Sequence, residues 1–167
     1  MPEPPEPNNH YYTDNTSYLE IPIAANFRDV YMVLMDIPGR SQWQTGLEKV
    51  EQDRPEVFIG SIHHCSFENY QAILSPLRMT LSDEGIIYAE SCSIEAMNLS
   101  LVHEFIFTKI SDTTCGFACR FMSMNGSTVP EDIHASLFTK MREMAERLKE
   151  YCEKMEISLF EAGFQKI

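Results

Sequence analysis

Positive charge is scarce in this sequence. Thirteen lysines and arginines stand against 25 aspartates and glutamates in 167 residues, a formal net charge of −12 at pH 7. A surface of that sign repels phosphate backbones and anionic headgroups, which argues against nucleic-acid binding and peripheral membrane binding. Long apolar runs are missing as well: none approaches the ~18 residues that span a bilayer. The amino terminus, Met-Pro-Glu-Pro-Pro-Glu-Pro, lacks the basic and then apolar order of an export signal. The expectation is a soluble, cytoplasmic protein without membrane insertion. Cysteines are few and odd in number, five in a chain long enough to fold without staples, so reduced thiols are expected rather than a disulfide framework. Cys115 and Cys119, four residues apart on an extended strand, would lie ~13 Å apart. A disulfide needs less than about 7 Å.

What is present suffices for one core. Hydrophobic residues make up 44 % and aromatic residues 11 % of a chain of single-domain length. Residues 1–9 hold four of the nine prolines and two glutamates, and they read as a solvated, polyproline-biased tail. Residues 10–167 are expected to form a single domain. Tyr18 to Ile23 reads as a strand whose Pro22 belongs at an edge or an end. Asn26 then suits a helix cap, with Asp29 at the positive end and Phe27, Val30, Tyr31 and Leu34 at helical spacing. Pro38 and Gly39 stop that helix, and Trp43 to Leu47 reads as a second short turn or helix.

From there the period is 2. Leu47–Gln52, Val57–Phe67, Tyr70–Leu81, Ile86–Ile94, Leu99–Ile110 and Thr114–Met124 are β-rich runs with short connections between them, an antiparallel meander of about six strands. The last element is a long amphipathic helix: Ile133, Leu137, Met141, Met144, Leu148, Tyr151 and Met155 recur at steps of three and four, and Pro130, Glu131 and Asp132 suit its first turn. Its apolar stripe needs the sheet to cover it.

Strand, two short helices, a curled meander and a long carboxy-terminal helix is the order of the helix-grip fold, and the sequence resembles the START-like or SRPBCC superfamily over roughly residues 18–155. The most specific stretch is Ile23 to Asp36, continued by Trp43 and by Leu47-Glu48-Lys49-Val50-Glu51; His103-Glu104-Phe105-Ile106-Phe107 and Cys119-Arg120-Phe121 resemble later strands. Gly60-Ser61-Ile62-His63-His64-Cys65 departs from the common pattern. The resemblance implies an α+β domain in which a curved antiparallel sheet of about seven strands, with two short helices between strands 1 and 2, wraps the carboxy-terminal helix. It also implies a cavity between sheet and helix for a hydrophobic or amphipathic small molecule. Two other roles occur in the superfamily: a protein-interaction module of the ATPase-activator type, and a cyclase or hydratase using the same cavity.

Within that frame the candidate cavity-lining residues are Trp43, His63, Cys65, His103, Phe105, Arg120, Met122, Met141 and Met144. The methionines suit an adaptable apolar pocket. Arg120 either pairs with Glu90 or Glu104 or lies solvated on the outer face. His63, Cys65, His103 and Cys119 have the chemistry of a tetrahedral zinc site but lack a compact ligand pair, so no metal is expected. Cys65 with His103 would make a nucleophile pair, yet no orienting acid or oxyanion loop stands beside it. The expectations are therefore no catalytic residues and no cofactor, an apolar or amphipathic small-molecule ligand, and room for a protein partner or homodimer.

Overall fold

The structure, a computed structural model, describes residues 11–12, 16–124 and 129–161. The proline-rich segment 1–9 lies outside the described residues. Eight strands form one antiparallel sheet: β1 (Tyr11–Tyr12), β2 (Thr16–Ile23), β3 (Leu47–Gln52), β4 (His63–Phe67), β5 (Gln71–Leu81), β6 (Gly85–Ile94), β7 (Leu99–Ser111) and β8 (Thr114–Ser123), in the spatial order β1-β2-β8-β7-β6-β5-β4-β3. The six strands from β3 to β8 are the expected meander, and β2 closes against β8 over its whole length, from Thr16 opposite Met122 to Ile23 opposite Cys115. To the seven strands expected, the two-residue β1 adds a short edge among the described residues.

Between β2 and β3 lie helix α1 (Phe27–Met35) and a 3-10 turn (Pro38–Gln42). Asn26 caps α1 through Oδ1, which accepts the Arg28 amide at 3.0 Å. The second helical segment thus begins at Pro38, before Trp43 rather than after it, because proline's fixed φ suits a first turn as well as it ends the preceding helix. The expected strand from Val57 shortens in the same way to His63–Phe67. Gly60 adopts φ +89°, and the Ser61 amide bonds the Phe58 carbonyl at 2.9 Å, a turn that no extended strand accommodates.

Helix α2 (Glu131–Glu161) lies across the concave face. Its carboxy-terminal half is tied to the β2–α1 junction: Lys149 Nζ donates to the Pro22 carbonyl at 2.8 Å, and Glu153 Oε1 accepts the Ala24 amide at 3.0 Å. Leu148 is fully buried and Met155 is 37 % exposed, so the apolar stripe runs out before the helix does. Phe138, Ala145 and Cys152 are buried beside it. The main core gathers Ile23, Val30, Phe107, Phe117 and Leu148; a second cluster of Ile37, Leu47, Cys65, Leu74 and Ile94 sits under β3 to β6. Trp43 is buried, with its indole N–H unpaired. No helix among the described residues is long and apolar enough to cross a membrane.

Candidate functional site: a polar-floored cavity between sheet and helix

Alternation along β6 points Ile86, Tyr88, Glu90, Cys92 and Ile94 toward α2, and the register with β7 sets Glu90 opposite His103. Glu90 is thus a buried carboxylate in an otherwise uncharged row. Its counter-ion arrives from the 3-10 turn: Arg40 Nη1 and Nη2 donate to Glu90 Oε1 and Oε2 at 2.7 and 2.8 Å, and Arg40 Nε donates to the Leu34 carbonyl at 2.7 Å. Tyr88 Oη donates to Glu90 Oε2 at 2.9 Å. Both members of the pair are essentially inaccessible, 1 % exposed each. Burial on its own would neutralise them, raising the Glu90 pKa and lowering that of Arg40. Their mutual charge and paired hydrogen bonds outweigh it, so Glu90 stays below the usual carboxylate range and Arg40 above the usual guanidinium value. Tyr88, desolvated and beside that carboxylate, is held well above the ordinary phenol value.

Arg40 and Glu90 floor a cavity of about 70 Å³. Leu101, His103 and Phe105 line it from β7, Leu137, Lys140, Met141 and Met144 from α2, and Phe67 and Tyr70 from the β4–β5 hairpin. His103 makes edge-on contacts with the Phe105 and Phe121 rings and no hydrogen bond among the described residues. Desolvation lowers its pKa from the usual imidazole value; Glu90 opposes the shift and Arg40 adds to it. At neutral pH His103 is an uncharged ring facing the cavity. Five residues, Gln44, Phe67, Tyr70, Lys140 and Met144, border both this cavity and an outer vestibule of about 120 Å³. Between the two, Phe67 and Tyr70 stack at 4.6 Å with the Lys140 ammonium 5.1 Å from the Tyr70 ring centre.

Of the residues singled out in the sequence, His103, Phe105, Arg120, Met141 and Met144 border this cavity. Arg120 does so only along the strand: it alternates with the inward Cys119 and Phe121, and its guanidinium pairs on the outer face with Glu104, which also pairs with Arg78. Met122 leaves β8 from that same outer face, opposite Val102. Trp43 lines a separate open groove of about 320 Å³ between α1 and the end of α2, with Met32, Tyr151 and Met155. His63 is buried with both ring nitrogens occupied, Nδ1 against Gln52 Oε1 at 2.6 Å and Nε2 against Ser61 Oγ at 2.8 Å. Gln52 Nε2 in turn donates to the Pro55 carbonyl at 3.1 Å, so this histidine fastens the loop before β4.

Cys65 and His103 stand on β4 and β7 with two strands between them, ~14 Å by strand spacing. Burial pushes the Cys65 thiol up to about 11 and Cys119 higher still, so neither is a thiolate nucleophile at neutral pH. Among the described residues no group of three or more His, Cys, Asp or Glu side chains could hold a metal ion. All five cysteines are buried and outside any disulfide. The sequence reasoning missed Arg40 and the inward Glu90. Glu90 was legible, since it falls in step with Ile86, Tyr88, Cys92 and Ile94. Arg40, in a Pro-Gly-Arg turn, carries no such signal.

No family model matches this sequence, and no curated protein matches it. Solved structures do. A START superfamily protein from Mycobacterium smegmatis superposes with a TM-score of 0.66 at 9 % identity over 84 % of this chain and 99 % of its own. Norcoclaurine synthase from Thalictrum flavum, solved as a point mutant with a transition-state analogue, gives 0.60 at 14 % identity over 84 % and 95 %. A hypothetical protein from Helicobacter pylori gives 0.68 at 13 % identity over 84 % and 89 %. The chain therefore carries the helix-grip fold that these solved structures share.

Proposed function

We propose that the protein binds a small amphipathic molecule in the cavity between the sheet and α2. The observation that carries this reading is the floor: a buried ion pair and an unpartnered imidazole face a space walled mainly by apolar, deformable side chains, with Gln44 and Lys140 the polar groups beside them. Ligand sites combine an apolar lining with a few fixed polar groups in this way. At about 70 Å³ the space is smaller than the ~300 Å³ of ordinary ligand pockets. Entry therefore requires Met141, Met144 and the Phe67–Tyr70 stack to yield, and the unbranched methionines can change rotamer at low cost.

A protein-interaction role is the second reading. Met32, Leu77, Met79 and Leu81 are all 40 % or more exposed, and Met32 and Leu81 share one concavity. Native mass spectrometry of protein purified from its own host separates the two. A co-purifying small molecule is expected, and it is expected to be lost from Met141→Trp, which fills the cavity. A chain that carries no small molecule and is stabilised by no apolar compound would favour the interaction module.

A further inference from the structure

The floor of the cavity is electrically closed. Glu90 commits both carboxylate oxygens to Arg40 and takes a further bond from Tyr88, while Arg40 also donates to the Leu34 carbonyl. The charges cancel, and His103 beside them is neutral. A carboxylate or ammonium delivered to this floor would meet no free counter-charge, and its desolvation would go uncompensated. A hydroxyl group fits the same place. It can donate to one imidazole nitrogen or accept from the other according to tautomer, and one such bond offsets most of a hydroxyl's desolvation.

Of the other cations on the lining, Arg120 turns its guanidinium outward to Glu104, and Lys140 lies over the Tyr70 ring at the mouth. An anion could sit there only with its apolar body pointing inward. That orientation would lay carbon against His103 and the Arg40–Glu90 pair and leave the imidazole without a partner. Size works in the same direction, because a space of about 70 Å³ admits a single ring only when Met141 and Met144 yield, and a long acyl chain would require far larger rearrangement.

We propose that this cavity selects compact, neutral, hydroxyl-bearing molecules of the phenol or cyclic-alcohol class, with His103 as the hydrogen-bond partner of the hydroxyl. The assignment rests on the reading of the cavity as a ligand site and adds the charge and the polar group of the ligand. Three probes of nearly equal shape test it: p-cresol, toluene and p-toluate, titrated calorimetrically into the full chain at pH 7.5. One added hydrogen bond corresponds to about tenfold in affinity. The expected order is p-cresol about tenfold tighter than toluene, with p-toluate weakest. His103→Leu is expected to bring p-cresol down to the toluene level while toluene is unchanged, and His103→Gln, which keeps a hydrogen-bonding group, to retain part of the preference.

Should the variants fail to fold, nitrogen-15 spectra of the unmodified protein give the same answer. The His103 ring resonances should move with p-cresol and stay in place with toluene. Equal binding of toluene and p-cresol, or tightest binding of p-toluate, would overturn the hydroxyl assignment and leave the ligand-site reading standing. Binding of none of the three, without a shift in melting temperature, would overturn both.

Discussion

At the end of the interior where α1 meets α2, Ile23, Val30, Phe107, Phe117 and Leu148 are fully buried in a cluster without a charged side chain. At the other end the same strands deliver Glu90 and His103 to meet Arg40 around a cavity. The change takes one inward step: Tyr88 to Glu90 on β6, Phe105 to His103 on β7. Continuing the apolar row through position 90 would serve stability at least as well, since well-packed hydrophobic groups commonly match or exceed a buried ion pair of similar volume. The two ends therefore divide the work. The dry end holds α2 on the sheet, and the polar end provides directed groups at a cost in stability.

The sharpest way to break that division is to leave one charge alone. Glu90→Gln keeps the shape and removes the counter-charge from a guanidinium with no route to water. A loss of about 3–5 kcal/mol in unfolding free energy is expected by urea denaturation. Arg40→Met combined with Glu90→Leu is expected to recover most of it, because no orphaned charge remains. A double variant as unstable as the single would mean that the packing, and not the charge, was lost.

At the dry end the expected effect is of cavity type. Leu148→Ala removes a fully buried side chain between α2 and the sheet and is expected to lower stability by about 2–5 kcal/mol. Met155→Ala, on the same stripe but partly exposed, is expected to stay within about 0.5 kcal/mol. Similar values for the two would mean that the stripe seats the helix differently from the contacts of Lys149 and Glu153 with the β2–α1 junction.

The dry end was the legible one. Period-2 runs and the three-and-four spacing of the last helix announce core positions because burial repeats with the geometry of the element, and Leu148 was readable from its neighbours alone. The polar end was readable only in part. His103 and Phe105 fall on a strand pattern that places them inward, and Met141 and Met144 fall on the helical stripe. What made the site was register between distant segments. The pairing of β6 with β7 brings Glu90 to His103, and an arginine from a proline-started turn reaches Glu90. His63 shows the converse. Its strand position and chemistry match those of a site residue, yet Gln52 and Ser61 absorb both of its nitrogens, and nothing in the local sequence announces such partners.

The smallest expected effect is a difference in pH dependence between the ends. Burial lowers the pKa of His103 below the 6.5 of a free imidazole. The unfolded chain therefore takes up this proton before the folded one does, and stability must fall as the solution is acidified from 6.5 toward the folded-state value. From about one unit above 6.5 the ring is neutral in both states and contributes no slope. His63, also depressed by burial, adds to the loss in the same direction, and Glu90, depressed by Arg40, adds to it only below the ordinary carboxylate value of 4.5. Leu148→Ala removes no titrating group, so it is expected to shift the whole curve of melting temperature against pH without changing its shape. His103→Leu is expected to flatten the curve between pH 7 and pH 5 while leaving the acid limb in place. If the two variants gave parallel curves, His103 would be taking up its proton in the folded protein as readily as in water, and the cavity floor would not be the closed, low-dielectric surface that its burial implies.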